Sequence, residues 1–176
     1  MPQWRTSLIK LNNTTVGNAL AFNGFWALAC VGQDKTLFIT GVVLIALILA
    51  TDNIARTCLL AARITTIGLL VDSVLTRSEV FIFPDHTFVP LWLGLLWAGF
   101  STTLARSLKF LNRHLTLAAL FGAIGGPSSY FAGQRFGAVE FGYELMPTLL
   151  LLAAIWACLL PLFFRLTRQL YDEELS

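Results

Sequence analysis

Six apolar runs separated by short polar stretches limit this chain more than any other feature. They cover residues 14–32, 37–50, 58–75, 89–108, 115–136 and 147–164. Only 12% of the 176 residues are charged and 56% are hydrophobic, with a mean hydropathy of +0.72. A soluble domain carries roughly 25% charged residues, so this surface is built for hydrocarbon. In hydrocarbon the backbone must satisfy its own polar groups, which leaves only helices or a closed barrel. Barrel strands alternate polar and apolar residues, and the unbroken stretch from Val42 to Ala50 does not. The expectation is an all-α bundle of six transmembrane helices in a single domain, 1–176.

At about 20 residues per crossing, such a bundle uses nearly the whole chain and leaves no room for a soluble catalytic domain. Several runs fall short of that length, so some helix ends should lie in the interface. The net charge is +2, and no basic block interleaved with aromatics is present. That balance gives no support to nucleic acid as a partner. Membrane lipids are the implied surroundings.

Lys and Arg, counted on alternate sides, set the orientation. One side carries Arg5, Lys10, Arg56, Arg63, Arg106, Lys109, Arg113, Arg165 and Arg168; the other carries Lys35, Arg77 and Arg135. This split predicts a multi-pass protein with both termini in the cytoplasm. Asp34, Glu79, Asp85, Glu140 and Glu144 fall on the outer side, and the tail Asp172-Glu173-Glu174 on the inner. Residues 27–30 loosely resemble a lipoprotein cleavage site, but Asn18 and Asn23 interrupt the apolar run. The segment reads as a retained first helix. Cys30, Cys58 and Cys158 lie in or beside different runs, a spacing that indicates neither a disulfide framework nor a zinc site.

Polar groups inside the runs are informative because hydrocarbon penalises them. Asp72 lies near the outer end of the third helix. A carboxylate at mid-membrane costs about 2.5 to 3.5 kcal/mol on insertion scales and normally faces a partner or a water-filled cavity. It reads either as a ligand-binding or proton-accepting group or as a buried acid held by Arg135, Tyr130 or backbone donors. In the fifth helix Gly122, Gly126, Ser129, Gly133 and Gly137 recur at steps of four, three, four and four. Small residues on one face permit close backbone approach to a neighbour. Pro127, following Gly125-Gly126, removes an intrahelical hydrogen bond and is expected to kink or break the helix there. Freed carbonyls around 120–123 would then need a partner or would line a site, as in discontinuous transporter helices.

Asn23, Asp72, Trp92, Tyr130, Gln134 and Arg135 form the candidate ligand-binding set, converging in the outer half of the bundle. The competing reading of Trp92 is an anchor at headgroup level. In the fourth helix Trp92, Leu96, Gly99, Thr103 and Arg106 share one face, with Trp97 elsewhere. His86 lies outside and His114 inside, so they cannot share a metal. Paired-His, Gly-rich phosphate-loop and nucleophilic-serine motifs are missing. Catalytic residues are therefore unknown, and no cofactor or metal is implied.

Three stretches carry a resemblance together: GLLVD at 68–72, PLWLGLLWAGFSTTL at 90–104 and GAIGGPSSYFAG at 122–133. They resemble an uncharacterised family of small bacterial inner-membrane proteins, one of the domain-of-unknown-function groups, over nearly the whole chain. The resemblance implies a bacterial cytoplasmic membrane protein and supplies no catalytic residues. Members of that family are often encoded beside enzymes that modify membrane fatty acids, which suggests envelope-lipid work.

Three functions follow as expectations. The first is a non-catalytic accessory or partner subunit in envelope-lipid metabolism, working with another membrane protein or a lipid-modifying enzyme. The second is a small-molecule binder or transporter resembling the substrate-binding subunits of vitamin-uptake systems. The third is a membrane enzyme acting on lipids through Asp72 with Tyr130 and Arg135.

Overall fold

A computed structural model describes Ile9, Asn12 and residues 14–171. Arg5, Lys10 and the acidic tail at 172–174, used above for orientation, lie outside the described residues. The described chain forms α1 (Thr15–Gly32), α2 (Leu37–Leu49), α3 (Ile54–Arg77), β1 (Phe81–Ile82), α4 (Leu91–Leu104), α5 (Leu115–Arg135), β2 (Glu140–Phe141) and α6 (Leu145–Tyr171). Short 3-10 turns stand at Gln33–Thr36 and Lys109–Leu111. Outward-facing side chains such as Phe38, Ile124 and Leu150 are apolar and largely exposed, the inverse of a water-soluble surface. Four helical stretches are long and apolar enough to cross a membrane: Thr15–Leu49, Ile54–Arg77, Leu115–Arg135 and Leu145–Tyr171. The chain is an all-α bundle of membrane type.

The first of these stretches is not one rod. Gln33 leaves helical backbone at φ 48, ψ −130. The Asn12 side-chain amide donates to the Ala50 carbonyl at 3.0 Å, which sets the entrance of α1 beside the exit of α2. The two are therefore antiparallel arms of a hairpin. A second knot fastens the same end of the bundle. Asn18 Oδ1 accepts from the Ser107 hydroxyl at 2.7 Å, and Asn18 Nδ2 donates to Asn12 Oδ1 at 2.9 Å. Asn18, which interrupts an apolar run in the sequence, is wholly buried and ties α1 to the α4–α5 turn.

Helix bounds depart from the apolar runs where capping, not hydropathy, decides them. α3 starts at Ile54 because Asn53 Oδ1 accepts from the Arg56 N–H at 3.0 Å, an N-cap. α4 is shorter than its run. Pro90 precedes it, and past Leu104 the chain turns, with the Leu108 N–H returning to the Thr103 carbonyl at 3.0 Å. α6 is longer than its run because a helix can continue into water past the hydrocarbon. Its 27 residues span about 40 Å at 1.5 Å each, against a core of about 30 Å.

The opposite end of the bundle is stapled by loops. β1 pairs antiparallel with β2, Phe81 opposite Phe141 and Ile82 opposite Glu140. His86 Nε2 meets Asp34 Oδ2 at 2.7 Å, and the Gln33 side chain donates to the Gly137 carbonyl at 3.2 Å. The short strand pair carries no hydropathy signal of its own.

The expected break in the fifth helix is corrected. α5 runs without interruption from Leu115 to Arg135 with Pro127 inside it. Proline removes one N–H, but packing against α6 holds the segment helical. A Cβ at Gly122 would overlap the Trp156 carbonyl, and one at Gly126 would overlap the Trp156 ring. The small-residue stripe divides by role. Gly122 and Gly126 seat α6, Ser129 turns toward α1, and Gly133 is a position where an added Cβ would reach Val139 only at ordinary contact distance. Gly137 lies beyond the helix at φ +72. There the Ala138 N–H bonds the Gly133 carbonyl and the Gly137 N–H the Gln134 carbonyl, the Schellman ending that favours glycine.

Gly122→Ala and Gly125→Ala separate close packing from helix propensity, because a Cβ at Gly125 meets nothing within 4 Å. Gly122→Ala is expected to destabilise by about 1–3 kcal/mol. Gly125→Ala should be neutral or stabilising by up to about 1 kcal/mol. Unfolding of the two variants in detergent checks the difference, and equal effects would contradict this packing.

Candidate functional site

Asp72 sits one turn after Gly68 on the same face of α3. Both are buried. Gly68 leaves room for an indole: a Cβ there would overlap the Trp97 ring. Trp97 of α4 thereby reaches Asp72, and its Nε1–H donates to Asp72 Oδ2 at 2.7 Å. From the other side the Tyr130 hydroxyl of α5 donates to Asp72 Oδ1 at 2.6 Å. Each carboxylate oxygen has one donor, and the side chain has no exposed surface. Three helices therefore meet through one acid.

The two donors are themselves fixed by ring contacts. Trp97 stacks on Trp156 of α6 with centroids 5.3 Å apart and planes 11° from parallel. Tyr130 stacks on Phe81 of β1 at 4.7 Å. Offset aromatic pairs of this kind add about 0.5–1.5 kcal/mol beyond their burial. The strand pair at the loop end thus steadies the tyrosine that answers Asp72.

Beside this clamp lies a cavity of about 220 Å3 between α1, α4, α5 and α6. Trp26, Trp92, Trp97 and Trp156 all face it, and Gly122, Gly125, Gly126 and Gly133 form much of the α5 wall. Its length reaches from Phe83, Ala138 and Val139 near the stapled loops to Leu108 and Phe121 near the other end. The lining is almost entirely apolar. One of its few polar atoms, the Ser129 hydroxyl, accepts from the Trp26 indole at 3.0 Å. Asp72 does not line the cavity; Trp97 and Tyr130 do, and they stand between it and the acid.

The candidate set is brought together only in part. Asp72 and Tyr130 are bonded directly, and Trp92 lines the same cavity as Tyr130. Trp92 is 2% exposed and packs edge-on against Phe83, an interior position rather than a headgroup anchor. Asn23 is exposed, and its amide returns to the Ala19 carbonyl of its own helix at 2.8 Å. Gln134 and Arg135 line a separate surface pocket with Phe131 and Leu145. The partners of Asp72 are Tyr130 and Trp97, and Arg135 is not among them. Trp97 is the residue that sequence reasoning missed. The nearest signal was Gly68, a small residue one turn from the acid that leaves room for a neighbouring helix without saying which side chain fills it.

Residues 15–162 match the model of a family described as a protein of unknown function, DUF2878. The chain belongs to that family. The matched region contains the whole clamp and all four cavity tryptophans. No curated protein and no solved structure matches the chain.

A double-mutant cycle on Asp72→Asn and Tyr130→Phe tests the clamp. Each single change should destabilise by about 1–3 kcal/mol, since it leaves a buried group short of a partner. The double variant should lose less than the sum, with a coupling of about 0.5–3 kcal/mol. Additive losses in detergent unfolding would show that the two side chains do not act as a pair.

Proposed function

We propose that this protein is a non-catalytic component of the bacterial cytoplasmic membrane that holds one lipid acyl chain in the groove between α1, α4, α5 and α6. The supporting observation is the lining: four indoles, a glycine wall and almost no polar surface, extending along much of the bundle. Such a lining suits an unbranched hydrocarbon and offers little to a charged or hydroxylated solute, because orienting polar groups are what fix polar ligands. At Gly125 a Cβ would meet nothing within 4 Å, so the chain can lie close to the α5 backbone there.

In this reading the protein crosses the membrane six times. α2 and α4, with 13 and 14 residues, measure about 20 Å at 1.5 Å each and reach across only where their ends lie in the interface. Arg56, Arg63, Arg106, Lys109, Arg113, Arg165 and Arg168 belong to the end of the bundle where α1 and α3 begin, against Lys35, Arg77 and Arg135 toward the other. That asymmetry supports a cytoplasmic position for the first end and for both termini. An accessory role in envelope-lipid metabolism, beside a lipid-modifying enzyme, agrees with a site that holds a chain without altering it.

The enzymatic reading through Asp72 has less support. A general acid or base must reach its substrate directly or through one water, and both oxygens of Asp72 are engaged behind Trp97 and Tyr130. The vitamin-carrier reading requires a polar, roomy site, for which the groove gives no lining.

Phospholipid brominated along its acyl chain tests the groove through the tryptophans. Reconstituted protein should lose a substantial part of its indole emission in brominated lipid relative to the unbrominated lipid. Gly125→Leu, which fills the open side of the α5 wall, should remove most of that loss without lowering stability. Equal quenching in both proteins would place the bromines only at the outer surface and sink the proposal.

A further inference from the structure

The groove is closed at one end and open along part of one side. Phe83, Ala138 and Val139, at the end stapled by the loops, line it and are buried. Toward the other end two lining residues of α5 are exposed: Phe121, and Gly125, where an added Cβ would meet nothing within 4 Å. α5 begins at Leu115, so at 1.5 Å per residue Phe121 and Gly125 lie about 9 and 15 Å along it. In a hydrocarbon core of about 30 Å, the opening faces the leaflet on the side where α1 and α3 begin, and it ends near the midplane.

The contacts between α1 and α5 are distributed to match. Among the described residues, the hydrogen bonds and ring contacts joining α1 and its C-cap to α5 and the turn after it lie beyond Gly125. Trp26 donates to Ser129 Oγ at 3.0 Å and meets Phe136 edge-on at 6.1 Å, and the Gln33 amide donates to the Gly137 carbonyl at 3.2 Å. One turn before Trp26, Phe22 leans instead on Phe100 of α4, with ring centroids 6.0 Å apart. The two helices are bridged over the stapled half of the groove and unbridged over the other. Size sets how much of a ligand enters. An apolar cavity of about 150 Å3 takes benzene. At about 220 Å3, this one takes a segment of a single chain, not a phospholipid with two tails and a headgroup.

We propose that the groove takes the terminal part of an acyl chain from a lipid of the leaflet where α1 and α3 begin, with the methyl end directed toward Phe83 and Val139. By the placement of Lys and Arg, that leaflet is the cytoplasmic one. A chain descending from it meets the opening between Phe121 and Gly125 and continues straight into the closed end. A chain from the opposite leaflet would reach the opening only at the midplane and would have to fold back on itself to follow the groove. The headgroup stays in the interface, so the desolvation that a charged group would suffer inside hydrocarbon is avoided. This assignment rests on the acyl-chain reading of the groove and adds the leaflet and the direction.

Phosphatidylcholines carrying a diazirine either at the chain end or beside the ester carbonyl test it in proteoliposomes, with the cross-linked residues located by peptide mass spectrometry. The chain-end probe should label the closed end, at Phe83, Trp92, Ala138 and Val139, and the ester-side probe should not. Gly125→Leu, which fills the opening, should remove most of that labelling. Chain-end labelling unchanged in this variant would mean another route of entry and overturn the inference. If the variant does not fold, the two probes on the wild-type chain still decide the direction. Labelling of the closed end by the ester-side probe instead would assign the chain to the opposite leaflet, overturning the inference while leaving the groove its acyl chain. Closed-end residues labelled by neither probe would sink the acyl-chain reading as well.

Discussion

An acid inside hydrocarbon has to be answered by donors, and at Asp72 the donors come from two other helices. Trp97 and Tyr130 each give one hydrogen bond to one carboxylate oxygen. Solvation by water is replaced by a fixed geometry, and that geometry sets how α3, α4 and α5 stand relative to one another. Losing a donor leaves a buried group short of a partner, which costs more than the bond contributes when made. The interaction therefore specifies an arrangement as well as stabilising it.

The groove follows from the same arrangement. Trp97 is drawn toward Asp72 and stacks on Trp156, and Trp156 lies over Gly122 and Gly126. These contacts fix α6 tightly against α5. α1 reaches α5 by a different device, the Trp26–Ser129 hydrogen bond. Large rings meeting small residues at some crossings, and side chains merely bridging at others, leave space that the helices do not fill. Because that space is walled by rings and glycines, the polar machinery of the clamp and the apolar cavity coexist a few ångströms apart without mixing.

Helical type and the approximate position of each helix were legible in the sequence, because hydropathy reports on lipid exposure directly. Asp72 was legible as an anomaly for the same reason, and Tyr130 was among its expected partners. Trp97 was not, since periodicity assigns a residue to a face but cannot say which faces meet. Gly137 belonged to the glycine stripe by spacing but ends the helix, a distinction that rests on its φ of +72. Pro127 signalled a kink or a break, and the helix runs through it unbroken where Trp156 packs against Gly122 and Gly126. Asn18 looked like a flaw in an apolar run. It is instead a buried tie, legible only once Asn12 and Ser107 are known to converge on it.

The most direct measurement is an experimental density map of the protein in lipid nanodiscs, read in the space between Trp26, Trp97, Trp156 and the α5 glycines. The account predicts a continuous, rod-shaped lipid density there, with Asp72 enclosed behind Trp97 and Tyr130. A collapsed interface with α1 closed onto α5, or a file of ordered water reaching Asp72 through the groove, would contradict it.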